Sequence, residues 1–208
     1  MKGLIFKDFV NIKSQLKLYI MFVAGFFVLG LVSGATEVLS ALMPMMAVLI
    51  PITAVAYDDL SGWNGFALSM PVSRAELVTA RYLFTEIIIV VMAVITCAEY
   101  IAVSRNIGEA VMTTVLLYAV SNLMFAIIMP IILKFGVQKA RAIFMMIAAG
   151  AAALIVWLSG DRASAIGDAV LSVKLNDAVI FAIAFAGSLL LVFISMKLSQ
   201  GIYRHKDF

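Results

Sequence analysis

Read as apolar and polar positions, the chain alternates long apolar runs with short clusters of charge. Six runs read as membrane-crossing helices, since a hydrocarbon core takes about 20 residues of helix: residues 18–32, 39–57, 82–103, 109–133, 143–159 and 178–197. Residues 2–17 have a different pattern. Ile5, Phe9, Ile12 and Leu16 recur at helical spacing, while Lys7, Asn11, Ser14 and Gln15 project from roughly the opposite side. This predicts an amphipathic helix whose lysines suit it to lie flat on the inner leaflet; a solvated lead-in to the first span is the plainer alternative. The connection between the second and third runs is also patterned. Leu60, Trp63, Ala67 and Met70 recur at helical intervals with Phe66 beside them, predicting a short amphipathic helix over 58–70 that Pro71 stops. Asp58 and Asp59 are expected at its start, facing the positive end of the helix dipole. Ser73 and Glu76 then have capping-box spacing, and Val72 and Leu77 that of a hydrophobic staple, so a new helix starts at Ser73 and continues into the third span.

Composition strengthens the membrane assignment. Apolar residues make up 64% of the 208 residues, charged residues 13%, and mean hydropathy is +1.12. Soluble domains carry roughly 25% charged residues. The first run is not read as a cleavable signal peptide, because no small-residue cleavage site followed by a polar domain comes after it. With six spans the whole chain is one transmembrane domain.

Charge sets the expected orientation. With the N-terminus in the cytoplasm, Lys2, Lys7, Lys13, Lys17, Arg74, Arg81, Lys134, Lys139, Arg141, Lys197, Arg204 and Lys206 fall inside. Only Arg105, Arg162 and Lys174 fall outside. This positive-inside bias requires an even number of spans and places both termini in the cytoplasm. The net charge of +3 then reflects topology and attraction to anionic lipid, not nucleic-acid binding. The lone Cys97 falls within a span, and the only histidine, His205, lies in the basic tail without companions for a metal.

Several polar residues fall within the runs. Glu86 and Glu99 in the third span and Asn122 in the fourth are candidate substrate-pathway residues, because ionisable groups are costly in lipid. The alternatives are that each glutamate snorkels to the interface or pairs with Arg81 or Arg105, and that Asn122 and Ser121 hydrogen-bond between helices. Pro44 and Pro51 are expected to bend the second span. The thirteen methionines suit either an adaptable lining or lipid-facing filler. No P-loop is present, so no nucleotide site, catalytic centre or metal site is expected on this chain. The structured 58–83 connection points to docking of a partner, though Trp63 and Phe66 would also serve as headgroup anchors.

The order Tyr57-Asp58-Asp59, Trp63, LSMPVSR (68–74) and ARYL (80–83) resembles the small permease subunits of ABC-2 type ATP-binding-cassette exporters. The likeness in topology runs over the whole chain and is sequence-specific across 58–83. Exporters of amphipathic peptide toxins such as phenol-soluble modulins are the nearest kind, with bacteriocin-type and antibiotic-resistance permeases close by. The resemblance implies an all-α, polytopic membrane protein. It has six transmembrane helices, an N-terminal interfacial helix (2–17) and a cytoplasmic coupling helix (58–71) between spans two and three. It further implies a separate ABC ATPase subunit carrying ATP and Mg, and a second permease copy in a 2+2 assembly in the bacterial plasma membrane. Asp58, Asp59, Trp63, Phe66 and Arg74 are then the expected ATPase contacts, the cargo an amphipathic peptide or hydrophobic substrate, and 160–177 a re-entrant outer gate or an ordinary loop. A passive pore or a regulatory scaffold without an ATPase remains the alternative reading.

Overall fold

The computed structural model describes residues 2–34, 37–69, 71–140, 142–143, 145–146, 150 and 177–204. Among them every regular element is helical. The helices are α1 (Lys2–Ser33), α2 (Glu37–Leu60), α3 (Trp63–Leu68), α4 (Arg74–Ser104), α5 (Ile107–Phe135) and α6 (Asp177–Arg204). A further helical stretch begins at Val137. Most of the fifth predicted span, most of the 160–177 segment and His205 lie outside the described residues.

Among the described residues, three helices are long and apolar enough to cross a membrane: Arg74–Ser104, Ile107–Phe135 and Val179–Arg204. A fourth is added if Gly3–Lys13 and Lys17–Ser33, which meet at a bend of 75°, form one span. The described chain is thus an all-helical membrane bundle with three to four candidate spans.

α4 is the central post, packing on α1, α2, α5 and α6, while α5 also packs on α2 and most extensively on α6. The main core joins Ile52, Val55, Tyr82, Ile89, Phe125, Met129 and Tyr203 across α2, α4, α5 and α6. A smaller cluster of Ile12, Ile50, Ala54 and Phe84 seats α1 on α2 and α4. Hydroxyl groups register the helices. Ser195 Oγ donates to the Ala126 carbonyl at 2.7 Å, so it accepts from Tyr82 Oη, also at 2.7 Å. Tyr82 has one proton, so Ser199 must donate to it in turn, at 2.7 Å. This chain of donors runs from α6 through α4 and back to α6 before ending on α5.

Local chemistry sets the helix ends. Asn106 Oδ1 accepts from the backbone N–H of Gly108 (3.1 Å) and Glu109 (3.4 Å), so α5 starts two residues after α4 stops. At the start of α4, Ser73 Oγ accepts from the Glu76 N–H at 3.2 Å, and the Glu76 carboxylate accepts from the Ser73 N–H at 2.8 Å. The capping box is therefore formed, and Val72 and Leu77 both join the main core.

The expected helix over 58–70 is divided in two. α2 continues to Leu60, and Gly62 in the left-handed region (φ 65°) turns the chain before the six-residue α3. Asp58 and Asp59 consequently close α2 and do not open the next helix. The reason is that Asp58 is held by side chains from other helices, which outweighs its unfavourable place at a helix C-terminus.

Removing the Ser73 cap by Ser73→Ala is expected to lower stability by about 1 kcal/mol. The bonds from Ser73 hold the Glu76 carboxyl below its usual range. A depressed carboxylate contributes stability above its unfolded-state value and loses it as pH falls through the folded-state value. Thermal melts in detergent across the acid range should show the wild type converging on Glu76→Gln as Glu76 protonates; parallel curves would contradict the capping role.

Candidate functional site: a buried carboxylate under a surface helix

The structure organises the candidates of the 58–83 connection around Asp58, which is 1% exposed. Lys7 Nζ from α1 donates to both carboxylate oxygens, at 2.7 and 2.6 Å. Asn11 Nδ2 donates to Oδ1 at 3.0 Å and Arg81 Nη2 from α4 to Oδ2 at 3.0 Å. One carboxylate therefore ties α1, α2 and α4 together. A buried charge is tolerated only when paired and hydrogen-bonded, and Asp58 meets both conditions.

Asp8 is also buried, and Lys7 Nζ lies 2.9 Å from its Oδ1 as an ion-pair contact without an aligned hydrogen bond. Burial raises the Asp8 carboxyl above its usual value, with Lys7 opposing the shift. The polar side of α1 thus faces protein: Lys7 and Asn11 meet Asp58, and Gln15 donates to Tyr57 Oη at 3.0 Å. Phe6 and Phe9 of the same helix are 71% and 49% exposed. The expectation that this polar stripe faces headgroups is corrected. Burying Asp58 demanded cations, and α1 supplies one.

α3 lies directly against this cluster. The Trp63 ring receives Lys7 Nζ at 4.7 Å from its centroid and packs 5.5 Å from Phe66. Trp63 is half-buried, whereas Phe66 is 57% and neighbouring Leu60 84% exposed. Asp59 is exposed as well. Arg74 Nη1 donates to the main-chain carbonyls of Tyr203 (3.3 Å) and Arg204 (2.9 Å), capping the C-terminal end of α6.

The intramembrane candidates form a separate group. Glu86 Oε2 accepts from Tyr118 Oη at 3.1 Å, while Oε1 has no partner. Arg81 is turned toward Asp58, and Glu86 pairs with a tyrosine in place of the anticipated arginine. Glu99 is fully buried with neither oxygen bonded, so it does not snorkel. Asn122 is fully buried and, among the described residues, has no bonded side-chain atom and no interhelical bond, and Ser121 bonds the Leu117 carbonyl within its own helix. Thr114 adds another unbonded buried hydroxyl.

Against this geometry, the profile of the ABC-2 family transporter proteins matches residues 3–204. The chain belongs to the ABC-2 transporter family. No curated protein and no solved structure matches it. As an ABC-2 family protein it is a membrane component of a transport system, and residues 3–204 place α1 to α6 within the family match. The family resemblance pointed to Asp58, Asp59, Trp63, Phe66 and Arg74 but not to Lys7, Asn11 or Arg81, which hold Asp58. A signal for them was present: Lys7 and Asn11 are four residues apart on one helical face, and Asp58 sat in an apolar run with no local cation.

Replacing Asp58 by Asn would keep the shape and strand two cations around a neutral amide. Breaking a buried pair in this way is expected to cost about 3–5 kcal/mol. Denaturant unfolding in detergent measures it. A change below about 1 kcal/mol, the range of exposed pairs, would contradict a buried tie.

Proposed function

We propose that this ABC-2 protein is the permease subunit of an ATP-driven exporter, with α3 and the end of α2 forming the seat of a separate ATPase. The observation that carries the reading is the contrast around Asp58. Leu60 at the end of α2 and Phe66 on the short α3 are apolar and exposed, while Asp58 beneath them is locked to α1 and α4. An apolar surface element tied to a candidate membrane-spanning helix can transmit displacement from a partner into the bundle. Asp59 and the exposed edge of Trp63 belong to the same seat. Asp58 acts from inside, and Arg74 acts by holding α6 to the start of α4.

In this reading the assembly has two permease copies and two ATPase copies. Each permease has six spans, both termini are cytoplasmic, and the membrane is the bacterial plasma membrane. ATP and Mg bind on the ATPase. Closure of the ATPase pair displaces α3, tilts α4 through Arg81–Asp58, and alternates access across the bilayer. The cargo is an amphipathic or hydrophobic substrate, a peptide in the favoured case. Glu86, Glu99 and Asn122 supply the polar groups along its path, since their buried atoms have hydrogen-bonding capacity to spare.

The test is capture of the ATPase encoded beside the gene by the tagged permease in detergent. Phe66→Ser and Leu60→Ser are expected to reduce capture by about tenfold, the loss of roughly 1.4 kcal/mol, with membrane insertion unchanged. Unchanged capture would overturn α3 as the seat. Failure of the wild type to capture any ATPase would favour a passive pore or scaffold.

A further inference from the structure

On the flank of α4 away from α5, α1 and α4 enclose an apolar groove of about 440 Å³. That is within the range of ligand-binding pockets, about 300–1,000 Å³. Phe9, Ile20, Val23 and Phe27 form one wall, and Ile87 and Val91 are on the other. Tyr19 contributes its ring alone, because its hydroxyl is engaged with Gln15 and Thr53, each at 3.3 Å. Ile20, Ile87 and Val91 are 58%, 47% and 51% exposed, so the groove opens sideways. The α4 wall belongs to a helix apolar enough to span a membrane, and the open side therefore faces lipid.

Charge specifies the occupant. Lys13 and Lys17 lie at the bend of α1, each three or four residues from a groove-lining side chain, Phe9 or Ile20. Both are exposed, and neither has an acidic partner among the described residues. Two free ammonium groups beside an apolar slot complement an anionic headgroup with an attached acyl chain. We propose that the groove between α1 and α4 holds one acyl chain of an anionic phospholipid whose headgroup sits on Lys13 and Lys17. The inference is independent of the ATPase reading.

The site has a structural consequence. Phe84 lines this groove and also the small cavity beside Asp8, Asp58 and Arg81, and its ring meets Phe9 edge-on at 6.3 Å. A chain in the groove therefore supports the contact of α1 with α4 from the membrane side, opposite the Asp58 tie.

The experiment uses the full-length protein in vesicles of phosphatidylglycerol or phosphatidylcholine, each doped with a lipid of the same headgroup carrying a diazirine in its acyl chain. After photolysis, adducts are mapped by peptide mass spectrometry. The expected result is labelling concentrated in 20–27 and 87–95, favouring phosphatidylglycerol by about fivefold per lysine. Lys13→Gln/Lys17→Gln should remove the headgroup preference and keep the location. Ala24→Trp, which fills the slot, should remove the location with the protein still inserted. Labelling spread evenly over all exposed apolar faces would overturn the proposal, as would equal labelling by both headgroups. A protein–protein crosslink between two copies at Ile20 or Val91 in place of lipid adducts would also overturn it. Should Ala24→Trp not insert, Val91→Trp fills the slot from the other wall and is read in the same way.

Discussion

A carboxylate buried to 1% exposure has to be neutralised by something, and the end of the bundle where α1, α2 and α4 meet is arranged around that requirement. Asp58 sits in the last turn of α2, where the helix dipole disfavours it. Its Lys7 and Arg81 partners come from α1 and α4, two helices that α2 otherwise meets through apolar contacts such as Ile12, Ile50 and Phe84 and through neutral hydrogen bonds such as Gln15 to Tyr57. Apolar packing allows helices to slide, because methyl groups have no preferred partners. Charge-assisted hydrogen bonds at 2.6–3.0 Å do not.

Two kinds of surface follow from that tie. On its outer side Lys7 also lies over the Trp63 ring, which fixes the six-residue α3 and leaves Phe66 and Leu60 outward. A helix this short has little stability of its own in water, so its position depends on what it packs against. Toward the membrane, α4 continues from that corner past Glu86 and Glu99, whose buried oxygens are not all bonded among the described residues. The same α4 is registered against α6 by Tyr82, Ser195 and Ser199, and Arg74 caps the end of α6. The surface helix is thereby linked through side-chain contacts to α1, α4 and α6.

Much of this was legible in the sequence because it depends on local rules. The helical class, the apolar runs of α4, α5 and α6, and the Ser73–Glu76 box follow from periodicity and capping chemistry. The break between α2 and α3 was misplaced, because the helical spacing of Leu60, Trp63, Ala67 and Met70 runs through Gly62. The glycine's left-handed backbone is what ends the phase. The polar face of α1 was assigned to the membrane surface because a single helix cannot indicate which neighbour will claim its lysine. Pairs fifty residues apart, such as Lys7 with Asp58, are fixed by topology, and no local pattern encodes them. The same holds for Arg74, a plausible surface cation in sequence that the fold spends on the end of α6.

The central claim is that Asp58 makes α1 and α4 one mechanical body. Double electron–electron resonance between spin labels replacing the exposed Phe6 and Leu83 measures it in the protein reconstituted with the proposed ATPase partner, without nucleotide and in an ATP-trapped state. The account predicts one narrow distance distribution, the same in both states, that broadens in Asp58→Asn. A distance that shifts with nucleotide in the wild type, or one indifferent to Asp58→Asn, would contradict it.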